Sequence, residues 1–314
     1  MDATIDGGPD LFSHLRPMGD TTSTEAGDGG ALRLCDGRIV RFAAYGARNG
    51  RPVLALHGTP GSRLKFVGAH AIAAEKGLRL ICPDRWGYGG TSLHPQPSID
   101  AHAQDMMDLM DRLAVRSCAL LAISGGGPYA VALAALAGSR ISRMALVSPV
   151  GPIHLLRADE LRACHRLFLR ILPRVPGAAT ALFRLYRRML LLAPVAAVSL
   201  ASVASHSIDR ATLSEPLVRR QLAQSFRTGL AQHAAGAVCD LKLFDQPWTS
   251  DPAAVNAETR LWLGTEDRTV PYAAVTRLAA AIPDARLTLL HGEGHFWAAH
   301  GHAEVFDWLA GSAS

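Results

Sequence analysis

Residues 120–130 read LLAISGGGPYA, and this stretch decides the fold class of the chain. An apolar, strand-like run ends at Ser124, and a helix-like run from Tyr129 to Leu136 follows almost at once. A sharp turn from strand to helix strains its central residue, so small residues must flank it. Such a turn would lift the Ser124 hydroxyl clear of the sheet and direct the N-terminus of the next helix toward it. The stretch therefore predicts a nucleophile elbow, with Ala122 where this motif ordinarily has glycine.

The simpler interpretation is a glycine-rich turn that happens to contain a serine, and the surrounding pattern favours the elbow. Further apolar, strand-like runs lie at 52–56, 78–82 and 144–148, and helical segments separate the runs. Strands that are apolar throughout are typical of a parallel sheet whose two faces are covered by helices. We therefore predict an α/β fold with a mostly parallel sheet flanked by helices.

The chain is predicted to divide into three parts. Residues 1–30 are rich in Gly, Asp, Thr and Pro and are predicted to be a disordered leader. Residues 31–149 and 249–314 carry the strand–helix alternation and form the predicted core. Residues 150–248 contain helical stretches broken by prolines, with no clear strand, and they carry an excess of basic over acidic residues. This segment is predicted to be a helical cap inserted into the core.

Composition excludes several classes of function. The 314 residues carry a net charge of +5, but nearly all the positive charge is arginine, and no basic stripe with interleaved aromatic residues occurs, so nucleic-acid binding is not expected. The five cysteines are odd in number and scattered, which disfavours a disulfide framework and a zinc site. We expect a small-molecule substrate and neither cofactor nor metal. The sequence leaves open whether the chain forms a homodimer.

The predicted location is the cytoplasm. The N-terminus is polar and acidic, whereas a secretory signal begins with a basic stub before an apolar stretch. Residues 189–208 carry no charge, but Pro194, several serines and many alanines make this segment a poor candidate for a membrane span. Buried cap helices are the favoured interpretation.

A catalytic serine needs a general base and a carboxylate that orients the base. In sheets of this kind the chain order is Ser, then Asp or Glu, then His. Asp267 follows the strand-like run 260–263, and His295 follows the run 287–290. Each lies just past a separate buried strand, where ligand sites of α/β sheets gather. The order and spacing predict a triad of Ser124, Asp267 and His295.

The acid and the base each have rivals. Taken alone, Asp267 is better explained as a turn residue or a helix N-cap, and Glu266 is its direct rival as the acid. The predicted base competes with three other histidines, namely His291, His300 and His302. The joint pattern of all three elements favours the predicted triad.

The oxyanion of such a reaction needs two preorganised donors. The N–H of Gly125, which follows the nucleophile, is the first predicted donor. The loop 57–61, HGTPG, is predicted to supply the second through the Thr59 N–H, because its glycines permit a close backbone approach. His57 is predicted to pack beneath this loop.

Five stretches carry a resemblance to a known family: HGTPG, PDRWGYGGTS, AISGGGPYA, GTEDRTVP and GEGHF, spread over residues 57–296. The chain resembles α/β-hydrolase-fold serine hydrolases of the capped, esterase-like or proline-iminopeptidase-like group. The resemblance implies the fold and the triad, and it leaves open esters, lactones, amides, carbon–carbon bonds and epoxides as substrates. Ser124 argues against the branches that use aspartate as nucleophile. HGTPG in place of HGGPG, with no acidic cluster for an α-amino group, weakens the peptidase interpretation.

We therefore predict hydrolysis of a carboxylic ester or lactone of a mainly apolar small molecule through an acyl-enzyme. Most cap arginines are interpreted as solvated helix faces. A carbon–carbon bond hydrolase and a biosynthetic acyltransferase or cyclase would use the same triad. A catalytically silent ligand-binding protein is the third alternative.

Overall fold

A computed structural model describes residues 29–201, 206–299 and 303–311, and an eight-stranded sheet forms its core. The strands are β1 (Gly29–Arg33), β2 (Ile39–Gly46), β3 (Arg51–Leu56), β4 (Leu78–Pro83), β5 (Cys118–Ile123), β6 (Ile141–Val147), β7 (Glu258–Gly264) and β8 (Ala285–Leu290). Their order is β1-β2-β4-β3-β5-β6-β7-β8. The β1–β2 and β2–β4 pairs are antiparallel, and all the other pairs are parallel. The predicted mostly parallel α/β sheet is confirmed.

Helices cover both faces of this sheet. The α-helices are α1 (His70–Glu75), α2 (Ile99–Arg112), α3 (Gly127–Ala137), α4 (Ala163–His165), α5 (Ala178–Leu192), α6 (Pro194–Ala201), α7 (Ser207–Ser214), α8 (Pro216–Gly229), α9 (Ala235–Phe244), α10 (Tyr272–Ala281) and α11 (Ala303–Ala310). Alternate residues of β3 and β5 point to opposite faces, so Leu54 and Leu120 pack in one apolar cluster with α2, α3 and α10. Val53 and Leu121 pack in a second cluster with α1 and α11.

The start of the sheet differs from the sequence prediction. Strand β1 begins at Gly29 and pairs with β2, so the last two residues of the predicted leader belong to the sheet. Pairing with an alternating neighbour strand outweighs the poor strand propensity of Gly29 and Gly30. Residues 1–28 of the predicted leader lie outside the described residues.

The described residues between β6 and β7 form helices joined by loops and turns, with no strand among them. This segment holds α4 to α9, with a π-helical stretch at Arg166–Ile171, and residues 202–205 lie outside the description. Its helices share an apolar cluster of their own, which includes Leu190, Leu213 and Leu222 and also takes in Tyr88 from the loop after β4. Among the described residues no helix is both long and apolar enough to cross a membrane.

Candidate active site

Ser124 lies directly after β5, at the carboxyl end of a central strand. Its φ angle is +52°, which a serine rarely adopts, and a 3₁₀ turn of Ser124–Gly126 leads into α3. A Cβ atom on Gly126 would lie 2.7 Å from the carbonyl oxygen of Leu56, so this turn has no room for a side chain there. Ala122 is fully buried within β5, where its methyl group packs in the core. The local geometry is that of a strained strand-to-helix turn, and the serine at this turn is partly exposed.

Asp267 and His295 meet above the ends of β7 and β8. The Nδ1 atom of His295 lies 2.7 Å from Oδ2 of Asp267. The other oxygen of Asp267 accepts hydrogen bonds from the N–H groups of Thr269 at 2.8 Å and Val270 at 3.1 Å. Asp267 is thus both a turn residue and the partner of His295, so the two interpretations of this residue are compatible.

The pair is buried, and each partner changes the pKa of the other. Burial alone would raise the pKa of Asp267, but the charge and hydrogen bond of His295 and the two backbone N–H groups lower it below its ordinary value. Burial alone would lower the pKa of His295, but Asp267 and, more weakly, Asp209 raise it above its ordinary value. The arrangement therefore favours an imidazolium at His295, the state that a general base reaches after it has accepted a proton.

The predicted rivals lie elsewhere or are not described. Glu266 is 40% exposed and its carboxylate lies 3.5 Å from His206, on the solvent side of the same loop. His291 is exposed and does not line the cavity described below. His300 and His302 lie outside the described residues.

Ser124 and His295 line one cavity of about 500 Å³. Gly58, Thr59 and Gly125 also line this cavity. All the predicted site residues therefore line the cavity except Asp267, which is hydrogen-bonded to His295. No hydrogen bond of 3.5 Å or less joins Ser124 to His295 among the described residues. The rest of the wall is largely apolar and comes mainly from the segment between β6 and β7, including Phe168, Leu182, Phe183, Tyr186, Leu222, Phe226 and Phe244.

The loop 57–61 lies against the elbow. A Cβ atom on Gly58 would lie 3.3 Å from the Cβ of Ser124, and one on Gly125 would lie 2.3 Å from Oγ1 of Thr59. Glycine at both positions allows this close approach. The backbones of Thr59 and Gly125, the two predicted oxyanion donors, are therefore neighbours beside Ser124.

A buried charged network, which the sequence analysis missed, holds this loop from below. Asp240 of α9 accepts four hydrogen bonds: from Thr59 at 2.5 Å, from Arg85 at 2.6 Å, from Tyr88 at 2.6 Å and from Tyr129 at 2.6 Å. Arg85 and Asp240 are almost completely buried, with side-chain exposures of 1% and 3%. A lone acid in the otherwise apolar run GAVCDL was the available signal, because a buried carboxylate needs a partner.

Arg85 connects the network to the loop backbone. Its guanidinium lies over the rings of Tyr88 and Tyr129 and donates to the carbonyl oxygens of His57 and Gly58. His57 is fully buried, and its Nε2 accepts the N–H of Arg85 at 3.1 Å. Burial and the charge of Arg85 hold the pKa of His57 well below its ordinary value, so this ring is neutral. His57 supports the loop and is absent from the cavity wall.

We expect Asp240→Asn to destabilise the protein strongly. The substitution preserves shape but leaves the Arg85 charge buried without a counter-charge, which costs about 3–5 kcal/mol. Urea unfolding measures the change in the free energy of unfolding. Tyr129→Phe, which removes one of the four donors and no charge, is the matched control and should cost about 1 kcal/mol. Equal losses in the two variants would contradict a role for the ion pair.

Asp209 of α7 is a second acid that the sequence analysis missed, and it supports the histidine loop. It is 1% exposed, and its Oδ1 accepts the N–H of Phe296 at 2.9 Å. Its Oδ2 is buried without a hydrogen-bond partner within the described part of the chain. The helix that carries Asp209 therefore places a negative charge beside the loop of His295.

Asp209→Asn should shift the pH profile of any reaction that needs neutral His295. The Asp209 charge helps to raise the pKa of His295, so its removal lowers that pKa and lets activity persist to lower pH. The shift should be smaller than that in Asp267→Asn, because Asp267 has the larger influence and a direct hydrogen bond. Profiles of kcat/KM against pH measure it. If the acidic limb of the kcat/KM profile does not move, the charge of Asp209 does not affect the pKa of His295.

Comparisons with known proteins bear on the fold of the chain. A family model described as "alpha/beta hydrolase fold" matches residues 51–298. The hydrolase YcgS of Bacillus subtilis is 31% identical over 115 residues, and the match spans 37% of this chain and 39% of that protein. The 2-hydroxymuconate semialdehyde hydrolase of Pseudomonas putida is 26% identical over 289 residues, which span 86% of this chain and 91% of that protein.

Solved structures also share the fold. An alpha/beta hydrolase fold protein from Nakamurella multipartita superposes with a TM-score of 0.69 at 24% identity, over 90% of this chain and 98% of that one. The strand order and the helices on both faces are therefore a known architecture.

Proposed function

The chain belongs to the alpha/beta hydrolase fold family and is an enzyme of that family, and from this premise we propose that it is a serine hydrolase of carboxylic esters or lactones. Ser124 is the proposed nucleophile, His295 the general base and Asp267 the acid that orients it. One observation carries the proposal: a serine with φ of +52° shares a cavity with a buried histidine that is bonded to a buried carboxylate.

In the proposed first half-reaction, Nε2 of His295 takes the proton of Ser124 as Oγ bonds to the carbonyl carbon. The N–H groups of Thr59 and Gly125 donate to the oxyanion. The tetrahedral intermediate then releases the alcohol oxygen, which takes the proton from His295 and leaves an acyl-enzyme. Water, deprotonated by the same ring, releases the acid and restores Ser124.

This mechanism requires Ser124 and His295 to approach within hydrogen-bond distance once substrate is bound. Catalytic hydrogen bonds are often long in free enzymes and tighten in the substrate complex. The strained backbone at Ser124 and the Asp267 bond restrict the elbow and the ring, so a rotation of the serine side chain is the movement that we expect.

The cavity wall supports a mainly apolar substrate. Phenylalanine and leucine side chains from the proposed cap, residues 150–248, make up much of the wall around the proposed nucleophile. An apolar acyl or alcohol group would leave water on entering it, which favours binding in proportion to the area buried. We therefore propose that the cap sets the size and shape of the group that binds.

Fluorophosphonate labelling tests the proposal directly. The reagent should bond covalently to Ser124, identified by mass spectrometry of the labelled peptide, and short p-nitrophenyl esters should be turned over. A panel of neutral esters and lactones would then define the preferred substrate. Absence of both labelling and ester or lactone turnover would overturn the proposal.

A carbon–carbon bond hydrolase is the second candidate, and the match to the Pseudomonas putida enzyme favours it. The same serine, histidine and aspartate would serve it. Turnover of 2-hydroxymuconate semialdehyde at a kcat/KM above that of every ester and lactone tested would favour this candidate over the first.

A further inference from the structure

Lys65 is a cationic side chain in the wall of the apolar cavity. It lies in the 3₁₀ helix Arg63–Ala69, just after the loop that carries Thr59, and it lines the cavity together with Ser124 and His295. Among the described residues that line this cavity, the other Lys or Arg is Arg268, which is exposed, and none is Asp or Glu. The cavity therefore has net positive character without an acidic partner in its wall.

The Lys65 ammonium has no hydrogen-bond or ion-pair partner within the described part of the chain. The residue is half-buried in the cavity wall, and its desolvation lowers the pKa of Lys65 to about 8. The group is therefore still mostly protonated at neutral pH. A charge that is partly withdrawn from water is costly unless it is paired, so a counter-charge would stabilise this position.

Several buried or half-buried charges among the described residues have a counter-charge, whereas Lys65 has none there. Asp84 bonds to Arg63, Asp240 bonds to Arg85, and Asp105 bonds to Arg38. Of the other two lysines, Lys76 lies 2.7 Å from Asp307 and Lys242 is exposed. The described part of the fold thus supplies a counter-charge at each of these positions but none at the cavity lysine.

We propose that Lys65 binds a carboxylate of the substrate, so that the enzyme acts on an ester or lactone that also carries a free carboxylate on an apolar chain. This inference rests on the proposed hydrolase function and names its substrate class. A carboxylate would complete the missing ion pair with a charge-assisted hydrogen bond inside a weakly hydrated cavity. A single half-buried lysine in an apolar wall suits a monoanion, whereas a phosphate dianion would need several more donors.

The same charge excludes another substrate class. A substrate with a free ammonium group would bring a second positive charge into the cavity, with no acid in the described wall to balance it. Peptide substrates with a free α-amino group are therefore disfavoured, in agreement with the sequence expectation.

The test compares two esters that differ only in charge: mono-p-nitrophenyl suberate and its methyl ester. Wild type should have the lower KM for the anion. Lys65→Met should lower kcat/KM for the anion by about 10- to 100-fold, as expected for the loss of one charge-assisted hydrogen bond, and change the neutral ester far less. Lys65→Arg should restore part of the preference. Lys242→Met, which removes the charge of an exposed lysine, is the matched control and should leave both rates unchanged.

A shorter or longer diacid, from glutarate to sebacate, shows whether the anion must sit at a defined distance from the ester. One chain length should be preferred in wild type, and the preference should disappear in Lys65→Met. Equal losses for the charged and neutral esters in Lys65→Met, or a charged-to-neutral ratio like that of wild type, would overturn the proposal.

A binding measurement separates this proposal from the proposed function. Calorimetry with monomethyl suberate and the Ser124→Ala variant needs no catalysis, and adding Lys65→Met should weaken Kd by about 10-fold or more. An unchanged Kd would overturn the carboxylate site even if wild type reacts with fluorophosphonate. A weakened Kd, together with a wild-type protein that neither reacts with fluorophosphonate nor turns over esters or lactones, would keep the carboxylate site and reject the serine hydrolase.

Discussion

Ser124→Ala should abolish ester hydrolysis, with kcat lower by about 10³- to 10⁶-fold, while the protein remains folded. Removal of the proposed nucleophile would eliminate the acyl-enzyme route, and the residual rate would then come from binding and the proposed oxyanion donors alone. The substitution deletes a hydroxyl group that makes no hydrogen bond among the described residues and keeps the backbone hydrogen bond from Val150 to Ser124, so the free energy of unfolding should change little. Burst kinetics with p-nitrophenyl acetate and fluorophosphonate labelling measure the effect.

The chain offers a closely matched control in Ser148. This serine lies at the end of the neighbouring strand β6, also has a positive φ of +43°, and is fully buried with its hydroxyl unpaired. It does not line the cavity. Ser148→Ala should keep full activity and labelling. If Ser148→Ala lost activity to the same degree as Ser124→Ala, the loss would reflect disturbed packing at the carboxyl ends of the strands and not removal of a nucleophile.

Asp267→Asn should lower kcat by about 10⁴-fold, the second large effect expected. The carboxylate accepts the Nδ1 proton of His295 and thereby keeps Nε2 free as a base, whereas an asparagine amide can stabilise the opposite tautomer. Steady-state kinetics with the best ester measure the loss. Fluorophosphonate labelling should slow in parallel, because the same base activates Ser124.

The pH profile gives an independent signature of the same contact. Proton abstraction needs neutral His295, so kcat/KM falls as pH drops through the pKa of this histidine. Asp267 helps to hold that pKa above its ordinary value. In Asp267→Asn the pKa should fall, and the acidic limb of the residual activity should move to lower pH.

Glu266→Gln is the matched control, since it removes a neighbouring carboxylate from the same loop. Glu266 contacts His206 and is partly exposed, so its loss should leave kcat and the acidic limb close to those of wild type. If Glu266→Gln lost as much activity as Asp267→Asn, the assignment of Asp267 as the acid of the triad would be wrong.

The elbow and the sheet could be predicted because their signals are local. The run CALLAI is apolar at every position and becomes the central strand β5, and the glycines after Ser124 remove side chains where the backbone has no room. Strand propensity and steric exclusion act between neighbours in sequence, so they can be read from it. The same holds for the turns after β7 and β8, which place Asp267 and His295 at the same edge of the sheet.

The supporting charges could not be predicted in the same way. Asp240 and Thr59 are bonded although 181 residues separate them, and Asp209 and Phe296 are bonded across 87 residues. Nothing near either acid in the sequence indicates which loop its helix will cover. For Lys65, its rarity in an arginine-rich chain was the available signal, and its position gives no hint that it lacks a counter-ion.

The sequence by itself determined the parallel sheet, the elbow at Ser124 and the chain order of the serine, the acid and the histidine, because apolar periodicity and backbone sterics are short-range properties. The tertiary structure alone decided which buried charges are paired. It pairs Asp240 with Arg85 beneath the loop of Thr59, brings Asp209 to the loop of His295, and leaves Lys65 without a counter-charge among the described residues. Electrostatic energies depend on distances through space and on the exclusion of water, and both are set only when the helices between β6 and β7 pack over the sheet.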